Sequence, residues 1–221
     1  MKKKFIFGKK SSDISKIKNN FIPENDRLIK WQKKLFNIYK KEKNRNKCKN
    51  CDKKIGSKVF TKIGVPYYLC STCGHLNAKY KDSMRLAKKF YQHDDGKDYS
   101  TFYISNKKNK NDYKLRTKNI YIPKVDFLFK SISKNINNFN HIDVGCGAGH
   151  YISALKKRGV QDLIGYDPSR TMINFGNKVN QFNKLNFIEM TQLNSFIKKL
   201  TSRKPVILSM IGTFEHISNN I

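Results

Sequence analysis

Four of the five cysteines fall as two pairs, Cys48-x2-Cys51 and Cys70-x2-Cys73, with 18 residues between the pairs. Two thiolates at this spacing share one tight turn, and two such turns can close a tetrahedron around a single Zn²⁺. The intervening KVFTKIGVPYYLC reads as two short strands around a turn at Gly64–Pro66, the pattern of a zinc ribbon. A four-thiolate site leaves no open coordination position, so this zinc is structural and folds a module too small to hold a core of its own. His75, two residues past Cys73, would enter only in place of a cysteine. Paired CxxC spacing also speaks for metal ligation in a reducing compartment rather than a disulfide framework. A cytoplasmic location is therefore expected.

The second group of interest is HIDVGCGAGH, residues 141–150. Gly145, Gly147 and Gly149 stand at every second position after a short apolar run. A strand feeding a glycine turn that opens a helix brings bare backbone and unpaired N–H groups up to a ligand. The dinucleotide fingerprint G-x-G-x-x-G would need its third glycine at His150, and a phosphate-gripping loop would need Gly-Lys-Ser/Thr. Neither is present. Eighteen residues past Gly149, DLIGYD ends on Asp167, a carboxylate placed to accept both hydroxyls of a ribose. Asp143 ends the first strand beside the loop, and Cys146 lies inside it, offering backbone contact with its thiol packed beneath. Close backbone approach, a ribose acceptor and no phosphate grip suit an adenosine with a charged amino-acid tail.

These residues need elements to position them. From residue 141 onward the chain alternates: strand HIDV, helix HYISALKKRG stopped by Gly159, strand DLIGYD, helix SRTMINFGNKV capped by Ser169, strand LNFIEM, short helix QLNSFIKKL and strand PVILSMIGTF. Such β-α-β-α-β-α-β order predicts an α/β fold with a parallel sheet covered by helices. Ahead of it, PKVDFLFKSISKNI (123–136) predicts a helix with proline in its first turn and Val125, Leu128, Phe129, Ile132 and Ile136 as its buried stripe. Residues 83–92 predict another helix, and HDDGKDYSTFYISNKKNKND (93–112) a loop or linker. Residues 24–42 place Leu28, Trp31, Leu35 and Ile38 on one helical face. The expected layout is a basic segment with one amphipathic helix at 1–44, the ribbon at 45–80, a helical or loop linker at 81–121 and the α/β domain at 122–221.

The motif DVGCGAG followed by GYDPS resembles the class I S-adenosylmethionine-dependent methyltransferases. The resemblance implies a Rossmann-like sheet. It also implies that Asp143, Gly145, Gly147 and Gly149 wrap the methionine end of the cofactor, with Cys146 joining the cofactor site through its backbone, while Asp167 holds the ribose. Members often carry an acid after the third strand near the adenine, where this chain has Thr191 and Gln192. An acidic–histidine pair facing the methyl donor falls on Glu215 and His216, which makes His216 the candidate general base. The family sheet has about seven strands, so the four expected here suggest an incomplete sheet, with a complementing C-terminal chain as one way to finish it.

The Cys₄ module, the aromatic stretch FYQHDDGKDYSTFY, then YIPKVDFL and DVGCGAGH, together resemble the zinc-module methyltransferases of sugar and surface-polysaccharide biosynthesis. That resemblance covers roughly residues 45–221. It implies a small-molecule acceptor, a nucleotide-linked sugar or glycan precursor, with Tyr91, Tyr99 and Tyr103 either lining the acceptor cleft or ordering their own loop. Some ribosomal-RNA guanine methyltransferases also carry an N-terminal zinc module, and the chain's net charge of +30 suits RNA. Only seven of the 46 basic residues are arginine, however, and Lys, Asn and Ile abound throughout. That pattern reads as a lysine-rich solvated surface more than as a phosphate-gripping patch. No window approaches the roughly 18 apolar residues of a membrane span. A truncated, non-catalytic chain that binds cofactor or a partner is the third reading.

Overall fold

Asn140–Val144 is a strand because the run is buried almost throughout, its last four residues completely so. A strand buried on both faces belongs in the middle of a parallel sheet, and there the computed structural model places it. The structure describes residues 12, 21–91, 109–132, 134–200 and 204–213. Tyr99, Tyr103, Glu215 and His216 lie outside the described residues, as do most of the first twenty. The chain divides into two compact units, with the break between Ala87 and Lys88.

The first unit holds helix α1 (Phe21–Tyr39) and an antiparallel sheet of β1 (Lys58–Lys62), β2 (Val65–Leu69) and β3 (Leu76–Ala78) in that order. Leu28, Trp31, Leu35 and Ile38 are all half-buried, as the helical periodicity predicts. The β1–β2 turn is made by Ile63 and Gly64, both left-handed, so Pro66 sits inside β2 rather than in the turn. Gly64 is required there: a Cβ would lie 2.7 Å from the Phe36 ring of α1. Helix α2 (Met84–Tyr91) follows, with Leu86 and Ala87 buried.

The second unit starts with α3 (Asn109–Arg116), continues through a wide turn at Thr117–Tyr121 and enters α4 (Ile122–Ser131) with Pro123 in its first turn. The sequence leads one to expect a loop up to residue 112. Helix α3 forms because Tyr113 and Thr117 are buried, and tertiary burial overrides polar composition. Helix α4 stops at Ser131, short of the expected residue 136. Beyond it the Asn135 side chain accepts from the Asn137 amide and turns the chain into a short 3₁₀ segment, Ile136–Asn138, the kind of local competition asparagine brings. Then come β4 (Asn140–Val144), α5 (His150–Lys157), β5 (Leu163–Asp167), α6 (Arg170–Asn180), β6 (Leu185–Phe187), α7 (Leu193–Lys198) and β7 (Val206–Ser209). The sheet order is β6-β5-β4-β7, every pair parallel. Its core joins Val125 of α4, Ile152 and Leu155 of α5, Leu163, Ile173 and Leu185. Ser169 caps α6 through the Met172 amide, and Gly159, at φ +85°, ends α5 where expected. Among the described residues no helix is long and apolar enough to cross a membrane.

Candidate functional site

The turn between β4 and α5 is built from three left-handed glycines, Gly145 at φ +72°, Gly147 at +54° and Gly149 at +72°. They are not equivalent. A Cβ on Gly145 would meet the Thr213 side chain at 2.2 Å, and one on Gly149 would meet Leu185 at 2.6 Å. Around Gly147 only the Met172 methyl comes near, at 3.4 Å. Two glycines therefore let neighbouring chain close in, and the middle one presents bare backbone to open space. The Gly145 and Cys146 amides both donate to the Tyr166 carbonyl, at 2.7 and 3.1 Å. The Gly149 amide donates back to Cys146 O at 2.9 Å.

Asp167, at the end of β5, is brought to this loop from 20 residues away: its Oδ2 accepts from the Gly147 amide at 2.7 Å and its Oδ1 from the Ser169 amide at 2.8 Å. Each carboxylate oxygen keeps a lone pair beyond the one the amide uses. Asp143, 3 % exposed at the end of β4, accepts from the Ser209 hydroxyl at 2.6 Å. Burial raises both acids, Asp143 to about 7, helped by the charge of Asp167, and Asp167 to about 6 against the pull of its two amides. Two acids whose protons are held this way cluster at ligand sites more often than at purely structural ones. Burial and the same two carboxylates push the Cys146 thiol up, and its sulfur packs against Gly165, where a Cβ would lie 2.8 Å away. Cys146 therefore offers the loop its backbone and stays an inert thiol. Thr213, just past β7, donates to Gly145 O at 3.2 Å and so reaches the loop from the far side. The sequence reading did not single out Thr213 or Ser209; their partners lie more than 60 residues away, and no local pattern marks such pairs. Thr191 and Gln192, in the turn before α7, are exposed.

In the other unit Cys48, Cys51, Cys70 and Cys73 bring their sulfurs within 4.8 Å of one another. The closest pairs, Cys48–Cys73 and Cys51–Cys70, are each 3.6 Å apart. A tetrahedral Zn–S₄ centre with bonds of about 2.3 Å sets its sulfurs about 3.8 Å apart, so this donor set fits such an ion. Each pair rides on a tight turn: Asp52 N donates to Cys48 O, and Gly74 N to Cys70 O. Buried Asn77 ties the two turns together. Its amide nitrogen donates to Cys48 Sγ at 3.4 Å and to His75 O at 3.0 Å, while its oxygen accepts from Lys49 N at 2.9 Å. Burial works against the Cys48 thiolate, but Asn77 and the Cys51 and Asn50 amides outweigh it and bring the thiol to about 6. The His75 imidazole is not part of the cluster.

Comparison with known proteins gives three findings. The family model described as a methyltransferase domain matches residues 112–221. No curated protein matches the chain. Among solved structures, the plantazolicin methyltransferase BpumL in complex with SAH is 21% identical, with TM-score 0.36, over 60% of this chain and 48% of that one. Geranyl diphosphate C-methyltransferase from Streptomyces coelicolor A3(2), in complex with Mg²⁺, geranyl diphosphate and S-adenosyl-L-homocysteine, is 16% identical, with TM-score 0.27, over 39% of this chain and 35% of that one. The chain thus spans less than half the length of each of these proteins. Residues 112–221 are thus similar to a methyltransferase domain, and the strand–glycine loop–helix geometry of β4 and α5 falls within that match.

Proposed function

We propose that the chain transfers a methyl group from S-adenosylmethionine to a small-molecule acceptor, a nucleotide-linked sugar or glycan precursor. The observation that carries the reading is Asp167 held at the glycine loop by the Gly147 amide, with lone pairs left for two ribose hydroxyls. The open backbone at Gly147 would admit the ligand, and Gly145 and Gly149 would set the loop that wraps its amino-acid end. Asp143, anchored by Ser209, would lend negative charge beside the ammonium of that tail. The bound sulfonium supplies an electrophilic methyl; the protein's part is to align it with a nucleophilic O, N or C, since in-line displacement rewards positioning. His216 is the proposed base for an acceptor hydroxyl. The Cys₄ ribbon would hold a structural Zn²⁺.

RNA remains the second reading, because the chain carries a net charge of +30. Methyl transfer assayed against nucleotide sugars and against ribosomal RNA separates the two. Turnover on a nucleotide sugar with little salt dependence supports the proposal. Turnover on RNA alone, falling steeply between 50 and 200 mM salt as phosphate contacts demand, would replace it.

The pH dependence follows from Asp167. A ribose acceptor must be ionised, and in the free protein this acid holds its proton up to about pH 6. Cofactor affinity should therefore be near its maximum at pH 7.5 and about tenfold weaker at pH 5. Stability runs the other way. Both acids have folded-state pKa values above their unfolded ones, so their contribution is full below about pH 4 and is lost as pH rises through 6 to 7. Calorimetric titrations and melting curves at the two pH values check both slopes; affinity unchanged at pH 5 would remove Asp167 from the ribose.

A further inference from the structure

None of the residues assigned from sequence to the cofactor lies ahead of β4, yet the segment before that strand reaches the glycine loop. Tyr113 of α3 is 4 % exposed, and its hydroxyl donates to the carbonyl of Ala148, between Gly147 and Gly149, at 3.0 Å. That hydroxyl accepts from Asn180 Nδ2 at 2.7 Å, and the same amide donates to Gly176 O at 2.7 Å. Ser153 of α5 donates to Asn180 Oδ1 at 2.8 Å. Helices α3, α5 and α6 are thus knotted to one loop carbonyl. The Tyr113 ring stacks on His150 at 4.1 Å, and His150 lies nearly parallel to Tyr121 at 5.1 Å. His150 Nδ1 is 3.1 Å from Thr117 Oγ1, whose own proton goes to the Tyr113 carbonyl. The imidazole therefore donates from Nδ1 and is neutral, and burial together with the Arg116 charge holds it so.

We propose that Tyr113 is a positioning residue for the methyl donor, acting through the Ala148–Gly149 peptide. This rests on the reading of the loop as the donor site. The Ala148–Gly149 peptide enters a left-handed residue on one side only, Gly149 at φ +72°, and it keeps its orientation only where both of its ends are held. Here its N–H is held by Cys146 O and its C=O by Tyr113. The face that meets the ligand is then set before binding, which removes an ordering cost from affinity.

The test titrates S-adenosylmethionine into the full-length chain by calorimetry, as wild type, Tyr113→Phe, Asn180→Ala and Val125→Ala. Phenylalanine keeps the stack and deletes the hydroxyl, leaving the Ala148 carbonyl and one of the two Asn180 amide N–H groups without that partner. Tyr113→Phe should bind about tenfold more weakly. Asn180→Ala, which leaves the hydroxyl on Ala148 without its support, should lose about threefold. Val125→Ala truncates a fully buried core residue of the same unit. It should lose at least as much Tm while binding as wild type does, and amide exchange at 147–150 should quicken only in the first two variants. Wild-type affinity in both Tyr113→Phe and Asn180→Ala would overturn the proposal. So would an equal loss in Val125→Ala, which would mark the effect as general destabilisation. Absence of binding by the folded wild type would overturn the donor-site reading itself, and this inference with it.

Discussion

Gly176→Ala should lower the Tm of the carboxy-terminal unit by more than about 10 °C. In an ordinary helix interior the same change adds about 1 kcal/mol of stability, so the expected sign is reversed. The reason is the loop beneath. A Cβ at Gly176 would lie 2.3 Å from Ala148 O and 2.5 Å from a Leu185 methyl. Leucine could turn away, but the carbonyl is backbone and is held in place by Tyr113. Either α6 lifts off the sheet or the glycine loop gives way, an overpacking cost of about 3 kcal/mol, which for a unit of this size exceeds 10 °C. Gly159→Ala is the control. That glycine has nothing within 4 Å but sits at φ +85°, so it should lose only the left-handed strain of about 1–2 kcal/mol. Melting curves of the two variants side by side decide the matter, and a Gly176→Ala as stable as wild type would mean that α6 does not press on the loop.

Removing the metal should have the larger effect in the other unit. β1 is exposed along its whole length, and the ribbon's large apolar side chains Val59, Phe60, Leu69 and Leu76 are all more than one-third exposed. Apolar burial within the three strands is too slight to hold them. The two cysteine turns and Asn77 close the sheet, and a structural Zn²⁺ contributes on the order of 10–16 kcal/mol to comparable small modules. The protein as isolated should carry one zinc per chain. Chelation, or Cys70→Ser, should release it and abolish amide-exchange protection at 58–78. Cys73 is exposed, so a chelator has a ligand to attack and release should be rapid. Protection that survives in metal-free protein would show that the ribbon folds without the ion.

How much of this was legible before folding differs from residue to residue. The two CxxC pairs were, because each pair acts within one turn. So were Gly149 ahead of α5, Ser169 ahead of α6 and Gly159 behind α5, because caps and left-handed positions are local matters. The pairing of Asp167 with the loop was legible from spacing, since a parallel β-α-β unit returns the second strand's end beside the first's. Tyr113, Gly176 and Asn180 were not. Tyr113 sits in a lysine- and asparagine-rich run that gives no helical stripe, and its partners lie 35 and 67 residues on. Gly176 interrupts a helix and reads as a mild defect until the loop it accommodates is seen. Asn77 reads as an ordinary polar strand residue, yet it is the buried tie between the cysteine turns. Each of these acts through a tertiary contact that no local period records.

The glycine loop and Asp167 are proposed to form the methyl-donor site of this chain. The direct measurement is calorimetric titration of S-adenosylmethionine into the zinc-loaded protein at pH 7.5, with Asp167→Ala as the comparison. We expect a Kd in the micromolar range, about −8 kcal/mol, weakened at least a hundredfold in Asp167→Ala. Saturable binding that the alanine variant keeps, or no binding by a folded and metal-loaded chain, would contradict the claim.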